Sequence, residues 1–240
     1  MFGKRIQRVI LGAALLLAVL CLAKPVLAAP PKGAVEKDGK YYFYLEDGTQ
    51  LKQTQKIGKF TYYIDSHDHL EAYKKGKRMY FPNGKKMKKA DREDYETYRL
   101  ARKWVKKITK KSDSKKEKLY KCFKWVQKKP WVIRHSWSTV GVKKKWQSMY
   151  ANDHFKGAAK GGDCISDACA LAYLARAIGY KNVYVAREAK RSSAHAWTEI
   201  DGKIYDAMFA PRDFDKYYGT SPKRSGHHAK DRSRVAVEYE

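Results

Sequence analysis

Hydrophobic positions in this chain change period twice. Between Gly161 and Tyr180, Ile165, Ala168, Cys169, Ala172, Ala175 and Ile178 recur three and four residues apart, which predicts a helix buried along one face. Gly161-Gly162 permit a tight turn before it, Asp163 is placed to cap it and Gly179 to stop it. Upstream, Tyr95, Tyr98, Leu100, Ala101, Trp104, Val105 and Ile108 draw a broad helical stripe through 91–111, acidic early and basic late, as the helix dipole favours. Ser112-Asp113-Ser114 cap a further helix, in which Leu119, Cys122, Phe123 and Val126 share a face, and Pro130 ends it. Residues 131–160 mix Trp131, Trp137 and Trp146 with lysines and predict short helices and loops. Beyond Gly179 the period falls to two. Residues 182–186 predict a strand, and Ala194–Ile200 and Lys203–Asp206 flank Asp201-Gly202 as a hairpin. Lys223–Arg234 reads as a basic loop, and Arg234–Glu240 as a strand at the sheet edge.

The N-terminal third is patterned differently. Gly39-Lys40-Tyr41-Tyr42-Phe43, Gly58-Lys59-Phe60-Thr61-Tyr62-Tyr63 and Gly76-Lys77-Arg78-Met79-Tyr80-Phe81 form a weak repeat, with Asp47-Gly48 and Asn83-Gly84 as hairpin turns after the first and third. Such small aromatic hairpins bury their faces only by stacking on one another. The arrangement over 39–90 resembles the cell-wall-binding (choline-binding-like) repeats of Gram-positive surface proteins. That resemblance implies aromatic ligand contacts at Tyr41, Tyr62 and Tyr80, although tyrosine and phenylalanine replace the usual tryptophans. The plainer expectation is that these rings form the hairpin core. His67-Asp68-His69 would suit a metal only with further ligands, and none lies at a suitable spacing, so neither a metal nor a cofactor is expected.

Residues 1–28 read as a secretory signal: Lys4, Arg5 and Arg8, then an apolar run from Val9 to Ala23, then Val26-Leu27-Ala28 before the cleavage point. Residues 29–38 read as a linker, and 91–240 as the chemical domain. The formal net charge is +27, and the four basic residues of 1–28 lower it to +23 on cleavage. A secreted chain this basic is drawn to anionic wall polymers or glycans. Nucleic acid is not expected after export, and a membrane is met only through the signal segment if it stays uncleaved. Of four cysteines, Cys122, Cys164 and Cys169 remain, an odd count that flags one reactive thiol and leaves a Cys122–Cys169 bridge open.

Cys164 falls in the first turn of the buried helix, where free amides and the positive dipole end would stabilise a thiolate. If Asp201-Gly202 is the turn, Ile200 faces Lys203 and Asp206 faces Trp197, so His195, Trp197 and Asp206 share one side of the sheet. A carboxylate there can hold an imidazole by one nitrogen and leave the other for proton transfer. Cys164, His195 and Asp206 thus make a candidate nucleophile, base and orienting acid, with the Cys164 amide a natural oxyanion donor. Trp197 is a candidate substrate contact. Gln147, Trp146 and Asn152 are candidates for a second oxyanion donor.

Gly162-Asp163-Cys164 opening a helix, His195-Ala196-Trp197 on a strand and Tyr205-Asp206 at a strand end resemble the transglutaminase-like superfamily, as does the Glu117–Val126 helix. The resemblance implies an α+β fold, a cysteine helix packed on an antiparallel sheet, with the nucleophile at Cys164, base at His195 and acid at Asp206. It also implies acyl-thioester chemistry on an amide of a protein or peptide, ending in hydrolysis or transamidation. The competing expectation is a wall- or glycan-binding protein that keeps the domain as a scaffold.

Overall fold

A computed structural model describes residues 33–156, 161–188, 195–227 and 232–237. The expected signal segment lies outside these. The chain divides into two compact units, 1–87 and 88–240.

The first unit is built of antiparallel hairpins. β1 (Ala34–Lys37) pairs with β2 (Lys40–Phe43), while β3 (Gln55–Ile57), β4 (Phe60–Ile64), β5 (Leu70–Lys75) and β6 (Arg78–Tyr80) form a four-stranded meander. β1 occupies residues read as linker, because Ala34–Lys37 finds a partner in Lys40–Phe43 across the Asp38-Gly39 turn. Each repeat glycine, Gly39, Gly58 or Gly76, lies in the tight turn before an aromatic strand. Asp47-Gly48 and Asn83-Gly84 instead turn loops closed by the single bridges Tyr44–Gln50 and Tyr80–Lys86.

Phe43, Leu51, Tyr62, Ile64, Leu70 and Tyr73 form the core of this unit. The Phe43 and Tyr62 rings lie 3.9 Å apart, and Tyr73 stacks on Tyr80 at 4.9 Å. Tyr62 is buried, which closes it to a ligand. Tyr41 and Tyr80 are half-buried, Tyr41 donating its hydroxyl to Glu36 at 2.6 Å.

The second unit is α+β. Its helices are α1 (Lys89–Ile108), α2 (Lys115–Gln127), α3 (Gln147–Phe155) and α4 (Cys164–Ile178), followed by the short turns α5 (Phe214–Tyr217) and α6 (Pro222–Ser225). Ser114 caps α2 through a reciprocal pair with Glu117. β7 (Val183–Glu188), β8 (Ala196–Ile200), β9 (Lys203–Tyr205), β10 (Tyr218–Thr220) and β11 (Arg232–Ala236) form one antiparallel sheet in the order β10-β9-β8-β7-β11. Ile200 pairs with Lys203, the register expected of the Asp201-Gly202 hairpin. β11 closes the β7 edge but begins inside the stretch read as a basic loop. β10 and the two short turns sit where polar composition gave no periodic signal.

α4 is covered by α1, α2 and α3 on one side and by β7 and β8 on the other. It is therefore buried almost all round rather than along one face, with Ala170, Leu171, Ala172 and Leu174 fully enclosed. Ala168 lets the strand approach closely, and the Thr198 hydroxyl donates to the Ala168 carbonyl at 2.9 Å. On the helical side the Tyr173 hydroxyl donates to buried Asp94, which also meets Lys145 Nζ at 2.9 Å. Cys122, Cys164 and Cys169 are buried free thiols, so the Cys122–Cys169 bridge is not formed. Since α4 is the centre of the packing, Leu174→Ala should cost about 3 kcal/mol. Chemical denaturation would measure this as a lower midpoint at unchanged slope.

Candidate active site

The start of α4 is fixed by its own cap and by close packing around the turn before it. Asp163 caps it, its Oδ1 accepting from the amides of Ile165 and Ser166, each at 3.0 Å. The preceding glycines have no room for side chains: a Cβ on Gly162 would come within 2.2 Å of Ser166 Cβ, and one on Gly161 within 2.3 Å of the Pro130 carbonyl oxygen. Val132 donates to the Gly162 carbonyl at 3.1 Å and Arg134 Nε to that of Gly161 at 2.7 Å, pinning the turn from the side.

Cys164 is 6% exposed. Burial, then the negative charge of Asp163, push its thiol up to about 12, while a hydrogen bond from the Ala196 backbone pulls the other way. Asp167 and Asp206 add to the upward push. A stabilised thiolate was expected here, and the difference has a physical cause. The Ile165 and Ser166 amides serve the Asp163 carboxylate, whose charge offsets the dipole end that would otherwise favour sulfur anion.

His195 stands one residue before β8, beside the Ala196 group that reaches the sulfur. Its Nε2 lies 2.6 Å from Asp206 Oδ2. Burial alone would raise the Asp206 carboxyl, but the hydrogen bonds from His195 and His227 outweigh it and hold the group below its ordinary range. An ionised carboxylate only accepts, so the His195 Nε2 facing it carries a hydrogen, and the neutral ring keeps Nδ1 as its basic nitrogen. The structure thus brings His195 and Asp206 into direct contact and couples Cys164 to them through the neighbouring main chain.

Sequence reasoning missed His227, which has no local signal that sets it apart from the other histidines of this unit. His227 is buried, and its Nε2 meets the same Asp206 oxygen at 2.9 Å. Its ring stacks on Trp197 at 4.2 Å, while His195 stacks on Phe209 at 4.1 Å. Only the closed tertiary fold brings the 222–227 turn here; nothing local marks it. His154 is likewise buried, against Asp167 at 2.7 Å, and His135 is half-buried against Asp153 at 3.0 Å. His228 lies outside the described residues.

Trp197 was expected to touch substrate, yet it is 2% exposed, with its indole nitrogen donating to Glu199 at 3.2 Å. It braces His227. Asn152 gives its side-chain amide to Thr97 at 2.8 Å, which engages it away from the sulfur, while the Trp146 and Tyr150 rings meet in a T-shaped contact at 5.6 Å. Gln147 is buried at the start of α3. His195, Asp206 and His227 also offer three ligand atoms within 4.8 Å of one another. Their separations of 2.6 and 2.9 Å are those of hydrogen bonds, shorter than the ~3.4 Å between ligands around tetrahedral zinc.

Residues 102–207 match the model of the transglutaminase-like superfamily. That stretch is similar to a transglutaminase-like superfamily domain. No curated protein and no solved structure shows a significant match to the chain. The transglutaminase-like match spans α2, α3, α4 and the β7–β9 sheet, and so includes Cys164, His195 and Asp206; His227 lies beyond it.

With its thiol at about 12, Cys164 should react with iodoacetamide at a rate that rises roughly tenfold per pH unit from 7 to 9. Mass spectrometry of the Cys164 peptide would follow this, and a plateau already at pH 7 would mean a preformed thiolate. Asp206 has its native value depressed below the ordinary 3.8, so its stabilising contribution is complete above that value and is lost as pH falls below it towards the native one. Asp206→Asn should flatten this acid limb in a stability-versus-pH series.

Proposed function

We propose that the second unit is a cysteine enzyme acting on amide bonds through an acyl-thioester on Cys164, with His195 as proton carrier and Asp206 as its orienting acid. The observation that carries this is the 2.6 Å contact between His195 Nε2 and Asp206, beside the main-chain group that bonds the Cys164 sulfur. His195 Nδ1 takes the thiol proton as sulfur attacks the carbonyl carbon. The imidazolium, steadied by Asp206, returns that proton to the departing amine, leaving the thioester. Water or a primary amine, deprotonated by the same nitrogen, then releases the acyl group and restores the thiol. A thiol held near 12 has to lose its proton during attack rather than beforehand.

Trp131 and Ile133 are exposed on the segment paired with Gly162 and give a peptide substrate an apolar shelf beside the helix start. The signal segment read at 1–28 and the strong positive charge favour work at the cell envelope, on peptide or protein amides near anionic polymers or glycans, with hydrolysis ahead of transamidation. One observation favours a second reading, a wall-binding protein with a silent domain: burial keeps the Cys164 thiol protonated at rest.

The two separate in one experiment. The chain and its Cys164→Ala variant are incubated with a glutamine-containing protein and a fluorescent primary amine, while peptide cleavage is followed in parallel. An enzyme loses at least about a thousandfold of cleavage or incorporation on substitution. Equal behaviour of parent and variant in both assays would leave only the scaffold.

A further inference from the structure

The first unit turns its chain three times in the same way. Leu45 donates its amide to the Thr49 carbonyl at 2.8 Å, Asp65 to that of His69 at 2.9 Å, and Phe81 to that of Lys85 at 2.9 Å. Each loop carries a left-handed residue at its fourth position: Gly48 at φ 81°, Asp68 at φ 65° and Gly84 at φ 86°. Three equivalent corners therefore differ only in their side chains.

In the outer two corners, the third residue serves the turn. Asp47 Oδ1 accepts from the Thr49 amide at 2.8 Å, and Asn83 Oδ1 from the Lys85 amide at 3.0 Å. The middle corner reassigns that task. Asp65, at the first position, accepts with Oδ1 from the amides of His67 and His69 at 2.7 and 2.9 Å. Its Oδ2 then faces His69 Nδ1 at 3.1 Å and His67 Nδ1 at 3.8 Å. The corresponding residues elsewhere are Leu45, Asp47 and Thr49, or Phe81, Asn83 and Lys85, none of which makes such a set. The fourth position, glycine in the other two, is here the aspartate Asp68, despite a backbone angle that side chains resist.

From this geometry we propose that Asp65, His67 and His69 form a binding site for a divalent transition-metal cation of the zinc class. The three ligand atoms lie within 4.8 Å of one another. Ligands on tetrahedral zinc stand ~3.4 Å apart, given bonds of about 2.1 Å, and the separations of 3.1 and 3.8 Å straddle that value. Two imidazoles and one carboxylate suit zinc better than calcium or magnesium, which prefer oxygen alone. Asp65 is already oriented through its other oxygen, and the His69 ring is held edge-on by Tyr42 at 5.2 Å, so little ordering remains for the cation to impose. His67 is 77% exposed and gives the cation access from solvent. The pattern His67-Asp68-His69 seemed to lack a third ligand because Asp65 stands just outside it; the turn brings it in.

The test uses the full chain, with ZnCl2 titrated against a chromophoric chelator. The background is Cys164→Ala/His227→Ala, which removes the neighbouring thiol and one member of the buried His195, Asp206 and His227 cluster. One equivalent should still bind, and cobalt in its place should give the intense visible bands of a tetrahedral site. His67→Ala removes an exposed side chain that the fold does not need, and Asp65→Asn retains a turn acceptor. Each should weaken binding at least about tenfold with an unchanged melting temperature. Unchanged affinity in both variants, or no binding in the background, would overturn the proposal.

Discussion

The seating of α4 on β8 is the constraint on which the second unit depends. Alanine at the contact and a threonine hydroxyl reaching the Ala168 carbonyl set both the distance and the axial register of helix on strand. That register delivers the Cys164 sulfur to the Ala196 main chain, one residue from His195. The sulfur's position is thus decided by packing, and its ionisation by what packing brings along: burial and nearby carboxylates, two of them on its own helix or cap. The same closeness that aligns the groups suppresses the thiolate, so the base matters more here than the helix dipole.

Asp206 is the second fixed point. Its Oδ1 accepts from the amides of Met208 and Phe209, and its Oδ2 from two imidazoles. Every bond favours the charged form and together they overcome its burial. Phe209 and Trp197 stack on the two rings, so aromatic surface there restrains imidazoles. Glu199, buried on the same strand, meets Arg232 at 2.6 Å and Arg234 at 3.0 Å, joining β8 to β11 through a second compensated carboxylate.

Much of this was legible in the sequence because it rests on local spacing. The α4 boundaries, the α2 cap, the Asp201-Gly202 register and the His195–Asp206 contact follow from periods of 3.6 and 2 and from one turn. His227 was not legible, since a histidine in a polar, glycine-containing stretch looks solvated until α6 folds it against the sheet. Trp197 misled for the reverse reason: a strand tryptophan beside a histidine gives no sign of which neighbour covers it. The thiolate expectation counted the dipole without the carboxylates that surround it in three dimensions. In the first unit the aromatic repeat was visible, but its glycines mark a different turn from the Asp-Gly and Asn-Gly corners.

The three buried cysteines carry one more consequence. Because Cys122, Cys164 and Cys169 are thiols rather than bridges, the cohesion of the second unit comes from packing, hydrogen bonds and ion pairs with no disulfide among them. Its folding therefore requires no disulfide formation or reshuffling. The same packed interior serves in a reducing or an oxidising medium, and it shields Cys122 and Cys169 from adventitious oxidation wherever the chain works.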